Sequence, residues 1–546
     1  MKLRYKILFI AVALIGLSSC SDFLEKVPDT RVYLVNLDQL EQLLITGYCQ
    51  TNYAVIGELS SDNVDDTNAP DKDGNRYNYS SYNRYDEQIF AWQDVDLDIS
   101  DSDTPSGLWN GCYSAIAAAN AVIEKVDEFE ATGEIEGQPM SYRDKARLAA
   151  IKGEAHMIRA YHHYILAQIF CMPYRGPQIS ATLPGIPYAT EPETELYPKY
   201  DRGTLEETYQ KIEADLLIGL ANVTDEYYEV PKYHFNVAAS NAFAARFYLA
   251  KREYDKVVQY ATASFKGNDP ESLRNDFWDM QEDFYEFDDG ARYYTSVDRP
   301  GNYMLMDTYS TWLRRWGNRF WSSRDGFHAS IQGPGPSWNG DYMPFFRYSV
   351  LGSSVHPEYG YIFYGNCWEQ FEYTDKIAGI GYVHMVRPEF TSQETLLFRA
   401  EAYLFLGNID AAFEDLYRWN HEHIMQGAMA SNNGSMSELE KSRIVSFYTS
   451  NPGYGIVKKF HIDEVCPSDK YQLTPEIEPY LNCVQHFRRM QTAHLGQRWF
   501  DIKRYGFTYT HKMGKDDVYT LEVLDPRYAI QIPAEVIGAG LEPNAR

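Results

Sequence analysis

Three features of the sequence predict a mostly α-helical protein, with degenerate repeat hairpins gathered in one body and irregular, aromatic-rich inserts packed on it. Apolar residues recur at three- and four-residue spacing in separated blocks, the period of a helix with one buried face. Two of these blocks are hairpins that echo each other 155 residues apart. Between the blocks, two long stretches lose the period and become rich in Gly, Pro, aromatic and acidic residues. Stacked hairpins with large insertions can fill all 546 residues as one body.

The first element is an export signal. Lys2, Arg4 and Lys6 form a basic end, and Ile7–Leu17 is an apolar run too short to span a bilayer comfortably. It ends in Leu17-Ser18-Ser19-Cys20, which resembles the lipobox cleaved just before a cysteine. Residues 1–19 are therefore expected to be removed. Cys20 is expected to carry fatty acyl chains (palmitate among them) that hold residues 20–546 to a membrane.

The helical framework is expected over about 38–51, 107–267, 392–450 and 476–506. Asp38–Cys49 reads as a short amphipathic helix, Leu108–Phe129 and Tyr142–Phe170 as long ones. Leu205–Ala221 starts behind Thr204, a fair N-cap with Glu207 three residues on. Val237–Lys251 with Tyr254–Lys266 makes one hairpin, and Gln393–Leu406 with Ile409–Gln426 another. A last helix is expected over Pro479–Tyr505. Ala245, Tyr248, Leu249 and Asp255 recur as Ala400, Tyr403, Leu404 and Asp410. Ala238, Ala242, Ala245 and Leu249 share one helical face, as do Leu397, Ala400 and Leu404; small residues at the crossing let paired helices approach, which is the logic of a tetratricopeptide unit. The inserts fall at about 52–106 and 268–391, the second holding short segments such as Tyr359–Tyr364 and Ile380–Val386.

Composition narrows the function classes. A formal net charge of −27, with no long Lys/Arg run, argues against nucleic acid as a partner. No G-x-S-x-G, Walker, G-x-G-x-x-G or H-E-x-x-H motif is present, so no catalytic residue is assigned. His162/His163 and His421/His423 are spaced one and two residues apart, which turns them to different helix faces and disfavours a metal site. Asp71-Lys72-Asp73-Gly74-Asn75 and the series Asp94, Asp96, Asp98, Asp101, Asp103 have oxygen ligands that suit Ca²⁺. Neither completes a twelve-residue loop, so solvated acidic loops and no cofactor are expected. Cys49, Cys112, Cys171, Cys367, Cys466 and Cys483 are irregularly spaced, and buried free thiols are favoured over a single bridge.

The positive signal is aromatic. The 45 tyrosines outnumber the leucines, and four of the ten tryptophans, Trp312, Trp316, Trp321 and Trp338, fall close together. Tyr309, Phe320 and Tyr342 join them, with Arg314, Arg315, Arg319 and Arg324. Flat rings can cover the apolar faces of a sugar while Asp, Asn and Arg bond its hydroxyl rim. Core packing is the competing account of the same residues, since Trp312 and Trp316 are one helical turn apart.

Several blocks carry a family resemblance. They are Cys20-Ser21-Asp22-Phe23-Leu24; Trp109-Asn110-Gly111-Cys112-Tyr113 to Asn120; Glu154-Ala155-His156-Met157-Ile158-Arg159-Ala160-Tyr161; Phe398-Arg399-Ala400-Glu401-Ala402-Tyr403 with Leu406-Gly407-Asn408; Gly496-Gln497-Arg498-Trp499-Phe500-Asp501-Ile502-Lys503-Arg504; and Ile530-Gln531-Ile532-Pro533. In this order they resemble the SusD/RagB family of nutrient-binding lipoproteins. The acidic segment that usually precedes the Arg-Trp-Phe-Asp block is replaced by Val484–Leu495, which marks a divergent subgroup. The resemblance implies a non-catalytic surface lipoprotein of the outer membrane of a Gram-negative bacterium. It also implies a SusC-like TonB-dependent transporter as partner and a glycan as ligand. The ligand face it implies combines Trp316, Trp321, Trp338 and Tyr342 with Asp62, Asn63, Asp65, Asp66, Arg84 and Trp92 of the first insert, leaving Trp109 and Trp499 structural. A peptide or glycoprotein ligand on the same architecture is one alternative; a surface glycoside hydrolase and a ligand-free helical scaffold are others.

Overall fold

The computed structural model describes residues 34–546, except 68–82, 96–100, 194–198, 266–286, 316–318, 324–333, 339–347, 352–360, 365–366, 424–436, 451–452, 454, 468–469 and 515. In chain order its principal elements begin with α1 (Leu37–Ile45), α2 (Ala54–Leu59), β1 (Asp65–Asp66), α3 (Arg84–Phe90), α4 (Pro105–Thr132) and α5 (Tyr142–Phe170). There follow α6 (Leu205–Asn222), α7 (Val237–Lys251), α8 (Tyr254–Ser264), β2 (Asn302–Thr308), β3 (Phe320–Trp321), β4 (Tyr348–Leu351) and β5 (Tyr361–Tyr364). The chain continues with β6 (Trp368–Asp375), β7 (Ile380–Thr391), α9 (Ser392–Phe405), α10 (Ile409–His423), α11 (Glu478–Gln491), α12 (Arg498–Tyr505), β8 (Tyr509–Met513) and β9 (Asp517–Leu521). The fold is mostly α, as the periodicity predicts.

Local chemistry explains the helix starts. Thr204 accepts from the Glu207 N–H while Glu207 reaches back to Thr204, and Ser141 and Asp144 form the same reciprocal box on α5. Thr104 caps α4, which ends on Gly133 in the left-handed conformation. α5 is the spine: packed between α4 and α6, it is buried almost continuously from Leu148 to Phe170. Its buried polar groups are met by partners. Arg159 makes a bidentate pair with Asp215 (2.8 and 2.6 Å), and His156 Nδ1 lies 2.7 Å from the same carboxylate. His162 and His163 each bond the carbonyl one turn back and are core residues, with burial lowering their pKa to about 4 and about 3.

The two related hairpins, α7–α8 and α9–α10, stack through α8 and α9. Ala238, Ala242, Ala245, Leu249, Leu397, Ala400 and Leu404 are all buried at these crossings. One contiguous core runs from Leu37 to Leu541. All six described cysteines are buried and unbridged.

The C-terminal helix departs from expectation. The stretch Pro479–Tyr505 is two helices, α11 and α12, because His494 (φ 64°) and Gly496 (φ 78°) leave the helical conformation. The cause is both local, a glycine in the left-handed conformation, and tertiary. α2 packs there so closely that a Cβ on Gly57 would stand 2.2 Å from the Gly496 carbonyl oxygen, and Gly496 N donates to Glu58 Oε1 at 2.9 Å.

The second insert is more regular than its composition suggests. β2, β7 and β6 form an antiparallel sheet in the order β2-β7-β6, and β4 pairs with β5. Of the two short segments expected here, Tyr361–Tyr364 is β5 and Ile380–Val386 is the first part of β7, while 359–360 lie outside the described residues. β7 is buried over its last seven residues and feeds directly into α9, where Thr391 caps Glu394; its first residues and nearly all of β6 lie in solvent. The β6–β7 hairpin therefore projects from the body as a ribbon.

Candidate functional site

The two inserts meet, and charge joins them. β1 of the first pairs with β3 of the second, Asp65 opposite Trp321 and Asp66 opposite Phe320. Arg319 holds Asp66 in a bidentate pair (2.9 and 2.8 Å). Arg315 bonds Asp86 at 3.1 Å and Asp103 at 3.1 Å, and Asp103 also accepts from Ser310 Oγ (2.6 Å) and Thr311 N (2.8 Å). Asp103 is thus occupied by protein donors, and Asp94 pairs with Arg546 at 2.5 Å. No group of three potential metal ligands occurs among the described residues; Asp71, Asp73, Asp96 and Asp98 lie outside them.

Three of the rings expected to face a ligand are packed inside the protein. Trp92, Trp321 and Trp338 are buried. Trp321 packs on Trp312 at 4.4 Å and on His494 at 5.1 Å, and Trp338 lies 6.1 Å from Phe487. Trp92, at φ 51°, stacks on His511 at 4.4 Å and donates from Nε1 to the Ser60 carbonyl at 3.0 Å. These three rings fill joints between the inserts and the body. Trp316, Tyr342 and Arg324 fall outside the described residues. Trp109 and Trp499 are buried, as framework residues should be.

Asp62 and Asn63 are also structural. Asp62 accepts from Arg498 at 2.7 and 3.1 Å and from Lys458 at 2.7 Å, with Arg489 at 3.9 Å. Burial alone would raise its pKa, but Arg489, Arg498 and Lys458 outweigh burial and hold it well below the usual carboxylate range. Asn63 donates to Glu58 and accepts from Arg489. Beside it, burial pushes Glu58 up to about 7 against the Gly496 and Asn63 donors.

Two predicted residues reach solvent. Asp65 is exposed and bonds Ser323. Arg84, at the start of α3, lines a polar cleft of about 540 Å³ with Glu87, Gln88, Gln93, Asp517 and Tyr519. Its far wall is the β8–β9 hairpin.

The exposed aromatic surface lies on the β6–β7 ribbon. Phe371, Tyr373 and Tyr382 are 41%, 51% and 55% exposed, and Ile377 and Ile380 stand out at its tip. Phe371 and Tyr373 share a face because successive β-residues alternate, and their rings sit 4.8 Å apart, edge to face. On the opposite face Tyr382 neighbours Tyr309 at 5.8 Å. Polar groups surround them. Arg314 pairs with Glu369 at 3.0 Å, and His384 bridges Glu372 (2.9 Å) and Asp307 (3.2 Å). Burial raises the Asp307 pKa, partly offset by His384. The sequence signal for this platform is the alternation Phe371-Glu372-Tyr373-Thr374, a two-residue period.

Comparison with known proteins agrees with this architecture. Residues 22–249 match the sequence profile of a SusD-like family described as "Starch-binding associating with outer membrane". No curated protein matches the chain. Among solved structures, a SusD superfamily protein from Bacteroides thetaiotaomicron is similar over 94% of this chain and 100% of its own, with TM-score 0.58 and 18% identity. One from Bacteroides vulgatus covers 94% and 99% with TM-score 0.60 and 15% identity. Another, from Bacteroides fragilis, covers 93% and 98% with TM-score 0.59 and 14% identity. At such identities the likeness speaks for the fold, which is that of SusD superfamily structures, and the profile match makes residues 22–249 similar to a SusD-like family.

Proposed function

We propose that the protein is a non-catalytic, cell-surface receptor that binds glycan and passes it to a SusC-like TonB-dependent transporter in the outer membrane, to which acylated Cys20 tethers it. The observation that carries this reading is the exposed aromatic ribbon. Phe371, Tyr373 and Tyr382 offer flat rings to the apolar faces of sugar residues, and Arg314, Glu369 and Glu372 lie within reach of their hydroxyl rims. Large rings left in water on a projecting hairpin are unfavourable unless a ligand covers them. The description of the matching family, starch-binding associating with outer membrane, points the same way. The reading requires no cofactor.

The test is a polysaccharide and oligosaccharide binding screen by calorimetry on wild type and on Phe371→Ala, Tyr373→Ala and Tyr382→Ala, with product analysis by chromatography. Binding that weakens in the ribbon variants, without released sugar, supports the proposal. Release of sugar that scales with purified protein would move the assignment to a glycoside hydrolase.

One observation favours a peptide ligand as the second reading. β6 is an edge strand: among the described residues only β7 pairs with it, and its outer side is exposed over most of its length. An extended peptide could add to that edge through main-chain hydrogen bonds, with Phe371 and Tyr373 contacting alternate side chains. Peptide pools in the same screen separate the two readings.

A further inference from the structure

Two thiols stand at the two ends of the first insert. Cys49 lies just before residue 52, and Cys112 sits on α4 just after residue 106, so the pair brackets the whole insert. They are 4% and 1% exposed. Together with Thr51 and His162 they line one small internal cavity. The backbone of α4 approaches because residue 111 is glycine: a Cβ there would stand 2.9 Å from Cys49 Sγ and 2.4 Å from Thr51 Oγ1. Cys49 Sγ also lies 3.0 Å from Thr51 Oγ1.

We propose that Cys49 and Cys112 close to a disulfide across the base of the first insert when the exported chain folds. The inference borrows an oxidising compartment from the export reading and is independent of the ligand. The oxidant is a disulfide, either the active-site disulfide of an exported thiol oxidoreductase or a small-molecule disulfide such as oxidised glutathione. The Cys49 thiolate attacks one sulfur of that disulfide, forms a mixed disulfide and releases the other sulfur as a thiolate. The Cys112 thiolate then attacks Cys49 Sγ, forming the Cys49–Cys112 bond and expelling the oxidant's second sulfur. The two protein thiols lose two protons and two electrons, and the oxidant becomes two thiols. Exchange must precede full burial, because the finished core excludes the oxidant. Once closed, the bond ties the insert's two ends together and removes conformational freedom from the unfolded chain.

The test needs no ligand. The full-length protein is reduced in denaturant, refolded in detergent with a glutathione redox buffer, alkylated, and digested without reduction for mass spectrometry. The expected result is a Cys49 peptide joined to a Cys112 peptide, with Cys171, Cys367, Cys466 and Cys483 alkylated. Oxidised wild type should melt at a higher temperature than the same protein held in reductant, and Cys49→Ala and Cys112→Ala should abolish that difference. Complete alkylation of Cys49 and Cys112 after refolding, or a bridge to any other cysteine, overturns the proposal. Peptide mapping of wild type decides it even if neither variant folds.

Discussion

Truncating a ribbon aromatic and truncating a buried tryptophan should produce opposite signatures. Tyr373 and Tyr382 keep 51% and 55% of their surface in water, so Ala replacement removes little buried area. Surface changes of this kind stay within about 0.5 kcal/mol of stability, and the thermal midpoint should hold. A ring stacked on a sugar, by contrast, is commonly worth about 2 kcal/mol, roughly thirty-fold in Kd. Trp321 has 0% exposure and packs between Trp312 at 4.4 Å and His494 at 5.1 Å. Its removal leaves a cavity beside β1 and should cost about 3–5 kcal/mol of stability, with any loss of binding following the loss of fold. Calorimetric titration with the best glycan from the screen, run beside thermal melts of the same samples, measures both quantities. The reasoning is refuted if Phe371→Ala, Tyr373→Ala and Tyr382→Ala all bind as wild type while a folded Trp321→Ala protein does not.

Other expectations follow from the charged groups and the N-terminus. Asp62→Ala leaves Arg489, Arg498 and Lys458 without their shared carboxylate, and should cost about 3–5 kcal/mol in denaturant unfolding; because Asp62 is depressed in the folded state, its contribution is present above the ordinary aspartate range and should fade as pH falls through its lowered folded value. Glu58 has the reverse sign: its folded value of about 7 lies above the ordinary 4.5, so its contribution is complete below pH 4.5 and lost as pH rises through 7, and the stability gap between wild type and Glu58→Gln should change in that window. Fatty-acid labelling of cells should tag the wild type and leave Cys20→Ser unlabelled; equal labelling of both would remove the lipid anchor.

What the sequence determined by itself is what depends on neighbours along the chain. Val237–Lys251 and Tyr142–Phe170 were legible to the residue, and so was the start of Leu205–Asn222 behind Thr204, since helical period and caps act within one or two turns. The repeated alanine faces were legible too, because a helix surface follows from its own residues. Tertiary structure decided which aromatics are buried and which are presented. Trp92, Trp321 and Trp338 have the composition of a binding surface, yet His511, His494 and Phe487, all far away in sequence, cover them. Phe371, Tyr373 and Tyr382 stay in solvent because β7 is anchored only along its inner half. The break between α11 and α12 has both origins: Gly496 is a local helix breaker in the left-handed conformation, and Gly57 on α2 packs closely against it. Helical period is a local property of the chain, whereas burial depends on what distant segments bring to each side chain.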